Sequence, residues 1–385
     1  MQRTLFTEDH HAFRESIRGF LAKEVVPYYA QWERDGMVPR DLYRKLGDIG
    51  YFGIAVPEQY GGAGISSYKY QAVVAEEVSR VGVSLGAAGA HLLLGLPYLL
   101  EFGTDEQRRR WMPGFMSGDI MTALAMTEPG AGSDLAGIRT NATLSADGSH
   151  YVVNGAKTFI SGGAQADLII VVCRTSPAAA DDRRAGLSLL CVDTKSEGFE
   201  VGRTLDKIGM RTSDTAELSF TDVTVPAENL LGEEGMAFSY LTHNLVQERL
   251  GCGYTSFAQA AAAIAFTTHY VQERKVFGKL LSSFQNTKFV LAECAAEVEA
   301  AQAMVDKAVE LFDAHALGAA DAAKVKLFCT EVAGRVIDKC LQLHGGYGYI
   351  LEYPIARLYT DTRVSRIFAG SNEVMKTIIA KDMYL

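Results

Sequence analysis

The spacing of apolar residues changes twice along this chain, and that constrains the fold more than any other feature. Up to about residue 118 the spacing is helical: Phe13, Ile17, Phe20 and Leu21 fall at i, i+4, i+7 and i+8 behind Thr7, a residue type suited to an N-cap. Another amphipathic helix is expected where Glu76 and Glu77 sit among Val73, Val74 and Val78, and residues 57–64 read as turns. Between residues 120 and 231 short β-type runs take over, at 168–173, 187–193 and 218–225. Residues 151–153, Asn154-Gly155 and 156–161 together predict a hairpin closed by a type I′ turn. After Gly232 long Ala-rich helical segments return, one with the stripe Leu291, Ala295, Val298, Gln302, Val305, Val309 and Phe312. The order lacks βαβ alternation, which disfavours a doubly wound sheet. The expectation is an α+β multidomain chain: an N-terminal α-helical domain (1–119), a middle β-barrel or β-sandwich domain (120–231) and a C-terminal helical bundle (232–385).

Composition narrows the function. The 385 residues carry 37 Lys plus Arg against 46 Asp plus Glu, a formal charge of −9, which disfavours a nucleic-acid-binding surface. Six cysteines are scattered without a C-x-x-C pair, and no metal site is expected; they read as buried thiols in a reducing compartment. The opening residues, 1–9, turn acidic before any apolar run develops, so they do not read as a secretory signal, and a cytoplasmic location is expected. The most apolar stretch, 85–100, is shorter than the roughly 18 residues of a spanning helix and reads as a buried helix or helix pair, so no integral membrane segment is expected.

Two glycine-rich segments stand out. In Met126-Thr127-Glu128-Pro129-Gly130-Ala131-Gly132-Ser133-Asp134 the glycines permit close backbone approach, and the hydroxyls suit carbonyl or phosphate oxygens. Leu135 occupies the third glycine position of a dinucleotide fingerprint, so a Rossmann turn is not expected, and taken alone the segment reads as a tight turn. The second segment, 342–349, follows an amphipathic helix; Gly345 fits a helix stop, and the glycines with an aromatic pair fit a ligand-facing loop as well. Further on, Ser371 or Asn372 is placed to cap a helix through Val374 and Ile378, a terminus that also attracts anions.

Four blocks, 125–134, Arg274-Lys275-Val276-Phe277-Gly278-Lys279, 342–348 and 368–373, resemble the acyl-CoA dehydrogenase family in order and spacing. Asp214-Thr215-Ala216-Glu217-Leu218, Gln247-Glu248-Arg249-Leu250 and Tyr353-Pro354-Ile355-Ala356 most resemble its long-chain branch, and the likeness spans essentially the whole chain. It implies a C-terminal four-helix bundle, a homotetramer with one FAD per subunit, and oxidation of a medium- to long-chain acyl-CoA to trans-2-enoyl-CoA in fatty-acid β-oxidation. An electron-transfer flavoprotein would take the electrons. By the same resemblance Met126, Thr127 and Ser133 line the flavin and thioester region, and Phe159 and Ser161 stand beside the isoalloxazine, with Phe where many relatives have Trp. Arg274, Phe277 and Gln285 would reach a neighbouring subunit's FAD together with Gln342, Gly345 and Gly346, while Ser371 and Glu373 complete a cofactor site. Without the resemblance Arg274 reads as an ion-pair partner of Glu273 or Glu293, and Phe159 as an inward strand residue.

The chemistry requires a carboxylate to remove the α-proton. Many relatives place that Glu directly before the Gly of the last block, where this chain has Ala369. In the long-chain and isovaleryl branches the base lies in a Glu-Arg pair on a bundle helix, which is Glu248-Arg249 here. The resemblance therefore makes Glu248 the catalytic base, and makes Ser133, Arg249, Ala369 and Gly370 the substrate side of the site, with the N–H of residue 369 and a ribityl hydroxyl of FAD polarising the thioester carbonyl. By composition alone Glu248 reads as a solvated helix carboxylate. The small residues Gly86 to Ala90 and Gly95 fit either a roomy acyl pocket or close helix packing.

Overall fold

The computed structural model describes residues 3–385, so Met1 and Gln2, where the N-terminal reading begins, lie outside the described residues. Helices fill the first third: α1 (Glu8–Phe20), α2 (Tyr29–Asp35), α3 (Arg40–Asp48), α4 (Lys69–Arg80), α5 (Ala88–Ala90), α6 (Leu96–Phe102) and α7 (Asp105–Ser117). Thr7 is the N-cap of α1, its hydroxyl 2.7 Å from the His10 ring nitrogen. Helices α1 and α4 are tied by Glu77, which is buried yet met by Arg14, Arg18 and Arg80 at 2.8, 2.8 and 2.6 Å. The apolar stretch at 85–100 is one interrupted helical run: α5, a π-type turn over His91–Gly95, then α6 with Pro97 in its first turn.

The middle region holds β1 (Thr122–Ala125), β2 (Asn141–Leu144), β3 (His150–Ser161), β4 (Leu168–Arg174), β5 (Leu187–Asp193), β6 (Phe199–Thr204), β7 (Thr215–Pro226) and β8 (Leu230–Leu231). They form one sheet in the order β6-β7-β3-β2-β4-β5-β8, with β1 parallel to β4. Strands β4 and β5 are apolar without alternation because both their faces are covered. Leu168, Ile170, Val172, Leu189 and Cys191 join the core of the N-terminal helices, while Ile169, Val171, Leu190 and Val192 point into the β-domain core with Val153, Leu218 and Phe220.

The hairpin expected at Asn154-Gly155 does not form. Strand β3 runs through both residues, and Gly155 sits at a bulge against β7. There a Cβ would come within 2.4 Å of Thr140 Oγ1, and the Asn154 amide donates across the sheet to Asp222 at 3.0 Å. Pairing with long β7 on one side and short β2 on the other outweighs the local turn preference of the dipeptide. The hairpin that does form joins β2 to β3, where Gly148 N–H donates to the Ser145 carbonyl at 2.9 Å.

The C-terminal region comprises α8 (Ala237–Glu273), the short hairpin β9 (Lys275–Val276) and β10 (Lys279–Leu280), α9 (Gln285–Asp313), α10 (Ala319–His344), α11 (Pro354–Thr362) and α12 (Asn372–Asp382). Leu250, Tyr254 and Phe257 of α8 pack with Val298 and Val305 of α9 and Val332 and Val336 of α10. On α9 Cys294 takes the inward place expected of Ala295, which is exposed. The six cysteines are free and buried. Among the described residues no helix is long and apolar enough to cross a membrane. Helix α8 also packs against α4 and α6, and that contact builds the site described next.

Candidate active site

Glu248 lies in the first half of α8 and is 7% exposed, so the solvated-carboxylate reading fails. Its Oε1 accepts a hydrogen bond of 3.3 Å from the hydroxyl of Tyr98, which α6 presents from a fully buried position. Burial pushes the Glu248 carboxyl up to about 7, with the Tyr98 bond and the Arg249 charge opposing the rise. Arg249, also buried, turns the other way and donates from Nε to the Ala369 carbonyl at 3.4 Å. The next carbonyl, Gly370, accepts from Lys326 Nζ at 2.6 Å. Lys326 is fully buried on α10 and also donates to Asn372 Oδ1 at 3.2 Å. Two cations thus grip consecutive carbonyls of a turn in which Ala369 has φ 54° and Gly370 φ 86°. The left-handed backbone is unfavourable for alanine, so these bonds hold the turn in place. Ser371 follows as the N-cap of α12, accepting from Val374 N–H, and its neighbour Glu373 is exposed.

The segment after β1 is organised by a second buried pair. Glu128 accepts from the N–H groups of Arg139 and Thr140 at 2.8 and 2.9 Å and from Lys157 Nζ at 2.9 Å. Burial works against its ionisation, yet these donors outweigh it and hold the carboxyl below its usual range. Lys157 Nζ also donates to the Met126 carbonyl at 2.9 Å, and Thr158 N–H to the Thr127 carbonyl at 2.9 Å, zipping the segment to β3. The next residue, Phe159, has φ 60° and is 67% exposed, so it is not an inward strand residue. Ser161 ends the same strand, opposite Thr215. Ser133 is exposed at the far end of the segment. Neither packing nor backbone strain requires glycine at 130 or 132: a Cβ there would meet nothing within 4 Å.

The remaining residues gather elsewhere. Arg274 caps the end of α8 and lies over the Tyr347 ring at 5.3 Å; Glu273 and Glu293 pair instead with His269 and Lys339. Phe277, at the tip of the β9–β10 hairpin, is 94% exposed, and Gln285 is exposed at the start of α9. Gln342, Gly345 and Gly346 are exposed at the end of α10, which Tyr270 meets by donating to the His344 carbonyl at 3.1 Å. Arg274 is separated from Glu248 by 26 helical residues, or about 39 Å at 1.5 Å per residue. Within one chain this group does not share a site with Glu248.

An outward Phe on left-handed backbone beside a glycine segment that no internal contact fills suits a flat aromatic cofactor such as a flavin. Tyr98, Glu128, Lys157 and Lys326 were not singled out from sequence. A signal was available only for Glu128, inside the first glycine-rich block. At Gly86 and Gly95 close packing is the answer, since a Cβ would meet Val38 at 2.4 Å and Thr122 Oγ1 at 1.9 Å respectively, while Gly89 is exposed.

Residues 7–119, 123–223 and 235–384 match the N-terminal, middle and C-terminal domains of acyl-CoA dehydrogenase. The long-chain specific acyl-CoA dehydrogenase of Sus scrofa mitochondria is 41% identical over 381 residues, 99% of this chain and 88% of that protein. The crystal structure of an acyl-CoA dehydrogenase from Geobacillus kaustophilus superposes with a TM-score of 0.95 at 46% identity, covering 99% of both chains. An acyl-CoA dehydrogenase from Bacillus anthracis complexed with FAD superposes with a TM-score of 0.91 at 30% identity, covering 100% of this chain and 69% of the other. Its three-domain architecture and this likeness along nearly its full length make the chain a member of the acyl-CoA dehydrogenase family, the FAD-dependent oxidoreductases of acyl-CoA thioesters.

Proposed function

We propose that this protein oxidises the Cα–Cβ bond of a medium- to long-chain acyl-CoA to the trans-2-enoyl-CoA, as a cytoplasmic homotetramer in fatty-acid β-oxidation that passes electrons to an electron-transfer flavoprotein. The observation that carries the reading is Glu248: a carboxylate enclosed between α6 and α8, with its affinity for protons raised by burial, linked through Arg249 to the turn at 369–370. The 41% identity to a long-chain specific relative supports the choice of chain length. The division into domains at 119/120 and 231/232 belongs to the same reading.

Glu248 is the base. A carboxylate that titrates near neutrality can accept the α-proton without being trapped as an inert anion. The N–H of Ala369 donates to the thioester oxygen, and the grip of Arg249 and Lys326 on the adjacent carbonyls fixes that donor before substrate arrives. Arg249 and Gly370 border the thioester, with Ser133 on the opposite side. Met126, Thr127, Phe159 and Ser161 hold the flavin ring, and Ser371 and Glu373 complete that site. Arg274, Phe277, Gln285, Gln342, Gly345 and Gly346 serve the cofactor of a neighbouring copy, consistent with their distance from Glu248. When bound, FAD supplies the acceptor for the β-hydrogen and its electron pair.

Anaerobic titration of the purified flavoprotein with butyryl-, isovaleryl- and palmitoyl-CoA tests the reading through loss of oxidised-flavin absorbance. Bleaching by palmitoyl-CoA is expected. Preferential bleaching by a short or branched thioester overturns the chain-length assignment, and reduction only by a carrier-protein thioester overturns the choice of CoA substrate. A protein that purifies without flavin would point instead to a scaffold role.

A further inference from the structure

We propose that Tyr98 is a positioning residue for proton transfer: its buried hydroxyl holds Glu248 by Oε1 and leaves Oε2 to take the α-proton. The inference rests on the reading of Glu248 as base and adds to it the device that aims the carboxylate.

Tyr98 is fully buried, so its O–H has no water to satisfy it and must donate within the protein. The acceptor is Glu248 Oε1 at 3.3 Å. The phenol is itself seated by packing, with the Phe102 ring 6.2 Å away and Phe102 stacked on Tyr240 of α8 at 3.9 Å. A free glutamate has three side-chain torsions, and one bond from a rigid aromatic donor anchors Oε1 and restricts them. Arg249 cannot do this, because its hydrogen bond goes to the Ala369 carbonyl. Among the described residues no hydrogen bond reaches Oε2, and Oε2 is not sealed off from the surrounding space. In the step itself the Cα–H bond breaks and its proton bonds to Oε2. The electron pair stays on the substrate and becomes the new π bond as the β-hydride departs to FAD.

The hydroxyl also acts on the charge of the base, since a donor to a carboxylate favours the anion. Around Glu248, α6 contributes Tyr98 and, further out, Glu101 paired with His243 of α8 at 3.2 Å. Helix α8 contributes Arg249 and the buried Cys252. The N-cap of α4 contributes Tyr68, whose hydroxyl reaches the space beside Gly251; Lys326 of α10 is engaged with the Gly370 carbonyl, and buried His91 with Thr122 and the Phe115 carbonyl. Of these, Tyr98 and Arg249 oppose the burial effect on Glu248.

The test compares wild type, Tyr98→Phe and Glu248→Gln holoenzymes in two measurements. In infrared titration, the protonated-carboxyl band absent from Glu248→Gln identifies Glu248 and gives its midpoint. In stopped flow, the rate of flavin reduction by palmitoyl-CoA is followed against pH. Tyr98→Phe is expected to raise the infrared midpoint and the acid limb of the rate profile together by about one pH unit, a tenfold change in proton affinity. Its rate should also fall at high pH, where Glu248 is ionised in both proteins but no longer aimed. Replacing Tyr98 with 2,3-difluorotyrosine, a stronger donor, should move both quantities the opposite way. Equal infrared midpoints in all three Tyr98 forms, or a full rate at high pH in Tyr98→Phe, would overturn the positioning role. A rate profile that ignores the infrared midpoint even in wild type overturns Glu248 as base, and is distinguishable because the infrared coupling to Tyr98 is read without turnover.

Discussion

Glu128 and Glu248 are equally hidden from solvent, each 7% exposed, yet the fold treats them in opposite ways. Glu128 receives two backbone N–H groups and the Lys157 ammonium, and its carboxyl is held below the usual range. Glu248 receives one phenol at 3.3 Å, and its carboxyl rises to about 7. Low solvent exposure is common to both, but Glu248 lies deeper in the protein and receives fewer donors. A saturated carboxylate is a strut, permanently charged, that pins the segment after β1 to β3. An under-supplied one keeps a free oxygen and an affinity for protons that chemistry can use.

The contrast is broken most directly by Glu248→Gln, which should slow flavin reduction by palmitoyl-CoA about 10³-fold while leaving FAD bound, as stopped-flow absorbance would show. Undiminished reduction would leave the two glutamates equivalent and remove Glu248 as base. On the other side, Lys157→Met removes the only countercharge of Glu128 among its hydrogen-bond donors and leaves it two backbone N–H groups. A loss of about 3–5 kcal/mol in denaturant unfolding is expected, with release of FAD seen by flavin fluorescence. A loss under about 1 kcal/mol would mean that the pair is no strut.

A third experiment sharpens the comparison through pH. As the Glu248 carboxyl moves from 4.5 in the unfolded chain to about 7 in the fold, the unfolded state ionises first, so stability falls across that window as pH rises and levels off above it. Glu248→Gln should therefore exceed wild type above pH 7 by up to about 3 kcal/mol and converge with it toward pH 4.5. Glu128, with its lowered carboxyl, predicts the reverse sign: its contribution is present above the ordinary carboxylate range and is lost on acidification. The smallest effect concerns the turn held by Arg249 and Lys326. Ala369→Gly relieves a left-handed alanine and should gain up to about 1 kcal/mol with little change in rate, because Arg249 and Lys326 still hold the carbonyls. A rate loss above tenfold would show that the alanine methyl itself shapes the site.

Much of the architecture was legible before any coordinates. Helix α1 begins behind Thr7, and the run at 187–193 is strand β5. The reading failed where a local preference met a stronger distant partner. Asn154-Gly155 is a turn dipeptide in isolation, but in the sheet it is a bulge between Thr140 and Asp222. Phe159 alternates inward on paper, and the register shift of β3 before Ile160 turns it outward.

The sequence by itself determined the order of helical and β regions and the family blocks, because periodicity and local motifs are properties of neighbouring residues. Its resemblance to the family nominated Glu248, through the pairing of a Glu-Arg dipeptide with Ala369; by composition alone that residue read as a solvated carboxylate. What that carboxylate is worth was decided only by tertiary structure. Its donor, Tyr98, stands 150 positions away, the Arg249 contact to Ala369 spans 120, and Lys326 reaches Gly370 across 44. Exclusion of water and the number of donors around a charge exist only once distant segments are packed together, and those two quantities separate the proposed base from the strut.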